Sequence, residues 1–416
     1  MGQVEGIVIL KLLLAVLGIF GLAAIGLDLQ YRRRAGNRLE LTAGKWGLEV
    51  AEADRILLIG DLEFVNQTQR LDVMVPEIWA EATLLSKDPV EQHQVKTRII
   101  SRFPDIDPRD DGYWESDIVE VGKREPIEVQ VEISGENLAS LQSVWVKVHF
   151  VTYGPGGRIP RTKHIVVPLK FPDATGSKQW RSADNAELLP VKTHLLSSLD
   201  DPIEVVKRYV VPHAQPGDVV TLGESPVAIM QGRYRHYTEI QPGWLAKRLC
   251  YMFDRTSSLA TACGLQTLID IAGAPRVFFA FVVSIPFKLL PRSISKPLQV
   301  DGMFYRLAGE QANLIDDVTG TIPPYDKFVV LGPADPQGLC DRIQRETGLS
   351  AAVVDVNDLR RVKILASTSD VSEKFLTQAL ITNPAGNANE QTPLVLIRPT
   401  AATTTGLAVP APNPSP

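Results

Sequence analysis

Four aspartates and one arginine frame the chemistry this sequence could perform. Asp316 and Asp317 are adjacent in a turn-rich stretch, LIDDVTGTIPP at 314–324, and Asp355 and Asp358 flank the end of an apolar segment, AAVVDVND at 351–358. Carboxylates from two separate loops can hold Mg2+ or Mn2+ while phosphate oxygens and water complete the shell. Such an ion would neutralise charge on a transferring phosphoryl group. The plainer reading is that these aspartates cap turns, which select Asp in any case, and on residue types alone it is the stronger one. Arg233 sits in a basic and aromatic run, GRYRHY at 232–237. Its guanidinium fork matches phosphate oxygens, but a solvated strand end accounts for it equally well. Asp105, Asp107, Asp110 and Asp111 lack the spacing and terminal Glu of a calcium loop, which favours a solvated loop.

Other chemistries are absent. There is no P-loop, no G-x-G-x-x-G fingerprint and no G-x-S-x-G elbow. The six histidines show no zinc spacing, and a lone one such as His213 reads as a turn residue. Cys250, Cys263 and Cys340 form no CxxC pair, which excludes a disulfide framework. No side chain declares itself as a nucleophile or a general acid, so catalytic residues stay unassigned. With 43 Lys and Arg against 48 Asp and Glu, the net charge of −5 argues against a nucleic-acid binder.

The elements that would position these residues can be read from the hydrophobic pattern. Residues 351–356 and 362–365 read as strands, as does 328–331. Between them, Asp335-Pro336 starts a helix over 337–347 with Leu339, Cys340 and Ile343 on one side, and Gly348 ends it. The β-branched run at 205–211 reads as extended, followed by strands at 219–222 and 227–230. Residues 244–253 have helical periodicity, and Ser257-Ser258 reads as the cap of a helix running to 272. The run at 277–290 is 14 residues long and carries Pro286 and Lys288. It is too short to span a bilayer; a buried helix, or one resting on a membrane surface, is expected instead. Residues 392–398 read as a final edge strand, and the Thr/Ala/Pro-rich segment from 400 as a disordered tail.

Upstream the periodicity is two. PIEVQVEI at 126–133 and VWVKVHF at 144–150 alternate, 55–60, 94–103 and 164–171 are further strand candidates, and YGPGG at 153–157 is a turn cluster. Short strands separated by turns predict an all-β sandwich, with an immunoglobulin-like arrangement among the options. At the start, residues 6–27 form an apolar run of 22 residues with Lys11 as its one charge, followed by Arg32, Arg33, Arg34 and Arg38. This predicts one transmembrane helix contacting lipid, with the bulk of the chain in the cytoplasm. A cleaved signal peptide would instead place the basic cluster before the run. The expected organisation is a multidomain chain: anchor and basic segment at 1–38, β-sandwich at 39–172, linker at 173–200, mixed α/β domain at 201–399 and tail at 400–416.

The second half resembles the coenzyme F420:L-glutamate ligase family, the γ-glutamyl ligases of deazaflavin biosynthesis. The resemblance is carried by PGDVV at 216–220, QGR at 231–233, AGEQANLIDDVTGTIPPYDKFVVLGPADP at 308–336, DRIQRETG at 341–348 and AAVVDVNDL at 351–359. It covers about residues 200–382. It implies a mixed α/β domain that binds GTP and Mg2+ or Mn2+, activates a small carboxylate substrate as an acyl phosphate, and lets the amine of glutamate attack it. By the resemblance, the metal ligands fall on Asp316 or Asp317 and on Asp355 or Asp358; Arg233 is a phosphate-contact candidate on the charge argument, and a homodimer is an open expectation. Two departures stand out. Glu224-Ser225-Pro226 replaces the family's lysine after PGD, and Leu359-Arg360-Arg361-Val362 stands where the family has Gly-Arg-Pro-Trp. The expectation is a membrane-anchored, ligase-like enzyme; the alternative is a membrane-tethered binding or scaffold protein that keeps the fold without catalysis.

Overall fold

The computed structural model describes residues 2–33, 38–86, 88–90, 92–103, 114–175, 179–254, 257–288, 302–317 and 322–400. The aspartate-rich loop at 104–113 and the tail beyond 400 lie outside them. The apolar start of the chain forms one helix, α1 (Gly2–Arg33). Among the described residues no single helix is long and apolar enough to cross a membrane.

Alternation of side chains then builds a two-sheet sandwich. The strands are β1 (Leu39–Leu41), β2 (Lys45–Ala51), β3 (Arg55–Asn66), β4 (Val73–Ser86), β5 (Gln94–Ser101), β6 (Asp117–Val119), β7 (Arg124–Ser134), β8 (Leu141–Gly154) and β9 (Gly157–Pro168). One sheet runs β1-β3-β7-β5 with β2 on β3; the other runs β6-β4-β8-β9. All pairings are antiparallel. The inward faces meet in one core that includes Leu58, Leu62, Val129 and Val131 from the first sheet and Val144, Val146, Val148 and Ile165 from the second. Phe64 and Phe150 meet edge to face across it, ring centroids 5.3 Å apart. The predicted turn cluster closes β8 onto β9, with Gly154 opposite Gly157. Gly157 adopts φ 78°, a conformation that favours glycine.

The second unit is α/β. Its strands are β10 (Arg181–Ser182), β11 (Ala186–Val191), β12 (Val219–Gly223), β13 (Tyr234–His236), β14 (Asp316–Asp317), β15 (Phe328–Val330), β16 (Ser350–Asn357), β17 (Arg361–Ser367) and β18 (Leu394–Pro399). Its helices are α2 (Pro202–Tyr209), α3 (Glu224–Met230), α4 (Trp244–Leu249), α5 (Ala262–Ala272), α6 (Ala274–Lys288), α7 (Met303–Ala308), α8 (Pro336–Thr347) and α9 (Glu373–Leu380). A six-stranded sheet has the order β10-β11-β18-β12-β16-β17, in which β12 and β16 are parallel. Strand alternation sends Ala351 and Val353 to the side covered by α2, α3 and α8, and Ala352 and Val354 to the side covered by α9. A three-stranded sheet, β13-β15-β14, packs with α4 to α7 around a third core.

Four expectations are corrected. Residues 205–211 are not extended: Asp201 accepts hydrogen bonds from the Ile203 and Glu204 amides, Pro202 stands at N1, and the helix α2 forms. Residues 227–230 belong to α3, not to a strand. The expected linker at 173–200 contributes β10 and β11 to the large sheet, with Leu188, Leu189 and Val191 buried. The predicted edge strand, β18, lies in the sheet interior between β11 and β12.

Candidate functional site

Parallel strands leave their carboxyl ends on one edge, and the crevice beyond them is where open α/β sheets bind ligands. Gly223, the last residue of β12, is opposite Val354 of β16. The next residue on each strand is acidic: Glu224 opens α3, and Asp355 continues β16. The small sheet delivers the third carboxylate, Asp316 on β14, paired with Val330. The hydroxyls of Ser225 and Ser258 each donate to Asp316, at 3.4 Å. Asp358 comes from the turn between β16 and β17, where its Oδ1 accepts from Asn383 Nδ2 at 2.7 Å.

Glu224, Asp316, Asp355 and Asp358 all line one cavity of about 610 Å3, within the range of small-molecule sites. The rest of the wall is largely apolar, including Ile229, Ile322, Tyr325 and Leu380. Tyr325 is buried and donates its hydroxyl to the Leu196 carbonyl at 2.7 Å. His194 also lines the cavity but is spoken for: Nδ1 meets the Tyr209 hydroxyl at 2.7 Å and Nε2 meets Asp200 at 2.9 Å. It ties the 193–200 segment to α2.

The carboxylates feel one another. Burial raises the Glu224 pKa to about 7, and the negative charges of Asp355 and Asp316 act in the same direction. Lys363, opposite Asp355 across the β16–β17 hairpin, opposes this with its ammonium 3.7 Å from Glu224. Hard oxygen donors placed so that their charges repel suit Mg2+ or Mn2+. Among the described residues, however, no group of three or more His, Cys, Asp or Glu side chains is arranged to hold a metal ion. A Mg2+ site made by one or two carboxylates plus substrate phosphates needs fewer protein ligands than a closed protein cage.

Of the residues singled out in the sequence, Asp316, Asp355 and Asp358 come together. Asp317 adjoins them on β14, its backbone opposite Val329. Arg233 does not line the cavity: its Nε donates to the Gly332 carbonyl at 2.6 Å and its NH2 group donates to Gln311 Oε1 at 3.3 Å. It fastens the end of β15 to the segment before β14. Sequence reasoning missed Glu224 as a site residue; its signal was an acidic side chain directly after a short apolar strand.

Residues 40–171 match the family model of the N-terminal Ig-like domain of F420-0:gamma-glutamyl ligase. The β-domain is thus Ig-like and similar to the N-terminal domain of that ligase. No curated protein matches the chain. Among solved structures, the yeast GGA1 GAE domain matches at 10% identity, over 33% of this chain and 96% of its own, with a TM-score of 0.19.

Proposed function

We infer that the chain is a ligase-like enzyme that forms an amide bond, the γ-glutamyl bond being the leading candidate, with GTP as co-substrate. The observation that carries this reading is the convergence of Glu224, Asp316, Asp355 and Asp358 on one cavity at the ends of β12 and β16. The match of residues 40–171 to the ligase family's Ig-like domain supports it. Asp316 and Asp355 would hold Mg2+ or Mn2+, which when bound supplies positive charge beside the phosphates of the nucleotide. Asn383 orients Asp358 at the rim, and the apolar wall around Tyr325 keeps water from the buried half of the site. Residues 6–27 of α1 would attach the chain to lipid, with the arginines after them on the cytoplasmic side.

The test is equilibrium binding of GTP to the full chain with and without Mn2+, repeated in Asp316→Asn and Asp355→Asn. Metal-dependent binding that weakens at least about tenfold in both variants is expected, since each would remove a charged ligand. Binding that ignores Mn2+, or none at all, overturns the enzyme reading. One observation favours the second reading, a tethered binding protein without catalysis: no three-ligand group is found among the described residues, and Glu224 stands where the resemblance has lysine. The same titration decides between the two.

A further inference from the structure

Helix α6 is apolar on both sides. Val277, Ala280, Phe281 and Ser284 recur at helical spacing and are buried against α5 and α7. The opposite stripe is Phe278, Phe279, Val282 and Ile285, which are 40–61% exposed. A helix on the surface of a water-soluble unit carries polar residues on that side. Here no charged residue occurs from 277 to 287. The neighbouring α4, packed on α5, adds Trp244 at 72% exposure, and the turn after it adds Tyr251 at 85%. Large aromatics left in solvent at this density need a partner.

The charges around these groups say which partner. The stretch 244–288 that spans α4 to α6 contains Lys247, Arg248, Arg255, Arg276 and Lys288 against Asp254 and Asp270, a formal excess of three positive charges within a chain whose net charge is −5. Lys247 and Arg248 are exposed on α4 beside Trp244. Tryptophan and tyrosine with flanking Lys and Arg are the side chains that settle at the headgroup level of a bilayer. Length fixes the mode of contact. Ala262–Ala272 and Ala274–Pro286 are joined by a bend of 114°, and each is well short of the ~20 residues that a spanning helix needs. Such short arms lie in the interface instead of crossing it.

We propose that the α4–α6 face is a second membrane contact, which rests on an anionic phospholipid surface through Trp244, Tyr251 and the exposed stripe of α6. The contact is separate from α1 and does not depend on the nucleotide reading of the cavity. It would hold the α/β unit against the bilayer instead of leaving it free at the end of the N-terminal helix.

The experiment is hydrogen exchange on the full chain, alone, with phosphatidylcholine vesicles, and with vesicles in which about one-third of the lipid is phosphatidylserine. Exchange at 244–253 and 274–286 should slow about tenfold on the anionic vesicles and far less on the neutral ones. Phe278→Glu with Phe279→Glu should abolish that protection and leave any protection of residues 2–33 unchanged. Lys247→Glu with Arg248→Glu, which leaves the apolar stripe intact, should weaken it. Protection confined to residues 2–33 would overturn the proposal while leaving the anchor standing. Protection at 244–286 with none at 2–33 would support the proposal and remove the anchor. Protection of the α4–α6 face that appears without lipid and grows with protein concentration would identify a second copy as the partner and overturn the lipid assignment.

Discussion

Glu224 is a cavity carboxylate held well above its ordinary range. Its pKa is raised to about 7, first by burial, so the folded chain binds a proton that the unfolded chain has already lost above about 4.5. Stability therefore falls as pH rises from near 4.5 to near 7, and is level above that. Glu224→Gln should accordingly stabilise the fold at pH 8, by up to roughly 3 kcal/mol, with little effect at pH 4. Urea denaturation at the two pH values checks it; equal effects at both would place Glu224 in a solvated setting. A second residue-scale case is structural. Asp218, in the PGDVV stretch, is 2% exposed and takes both arms of Arg398, at 2.8 and 3.0 Å. That aspartate clamps β12 to β18 and does no chemistry in the cavity. Arg398→Met would strand a buried carboxylate, and a loss of about 3 kcal/mol is expected in chemical denaturation. The sequence showed the two aspartate pairs because strand ends and turns are visible in local pattern. It hid Glu224, whose burial and charged neighbours are supplied by segments far along the chain.

At the scale of elements, the site depends on where β14 is pinned, and Gly332 does the pinning. A Cβ there would run into the Leu314 side chain, two residues before Asp316. The Gly332 carbonyl also accepts from Arg233. Gly332→Ala should push the 314–316 segment away from β15, destabilise the fold by about 1–3 kcal/mol as overpacking does, and weaken any ligand that needs Asp316. Thermal unfolding and Mn2+-dependent GTP binding measured together check both parts; a stable variant with normal binding would show that the segment moves freely. Helix α8 was legible in advance because its start and stop are local: Asp335 accepts from the Gly338 amide at 3.0 Å, and Gly348 ends it at φ 75°. Helix α2 was not, because Val205, Val206, Val210 and Val211 carry an extended preference that the Asp201 cap and burial of Ile203, Val206 and Tyr209 override. Strand β18 was visible as a strand, but its interior place was not: its neighbours β11 and β12 pair with it from about two hundred residues away, and such long-range order leaves no local mark.

For the whole molecule, the telling contact is the one between the Ig-like domain and the α/β unit. His164 of β9 stacks on His236 of β13, ring centroids 4.7 Å apart, beside Trp145 of β8 and Phe328 of β15. Tyr234 donates its hydroxyl to the His164 carbonyl at 3.3 Å. Burial lowers the His164 pKa to about 3 and the His236 pKa to about 4, and neighbouring positive charge adds to both: Lys147 beside both rings, Lys163 beside His164, and Lys327 beside His236. His149 lies close as well, while Glu239 stands 3.7 Å from His164. The two rings thus stay neutral when docked, whereas an unfolded or undocked histidine takes up a proton below about 6.5. The docked state is fully stable above that pH and weakens as pH falls toward 4 and then 3, each histidine contributing up to about 1.4 kcal/mol per pH unit. Because Tyr325 and Leu195 belong to the same buried cluster as Trp145 and also line the cavity, undocking should be felt at the site. Hydrogen exchange of residues 322–330 and 193–196 should therefore accelerate as pH is lowered from 7 to 4, once corrected for the intrinsic pH dependence of exchange. His164→Phe with His236→Phe should flatten that response by removing both protonation sites while keeping the stacked apolar surface. An unchanged acid response in the double variant would mean that other groups hold the two units together.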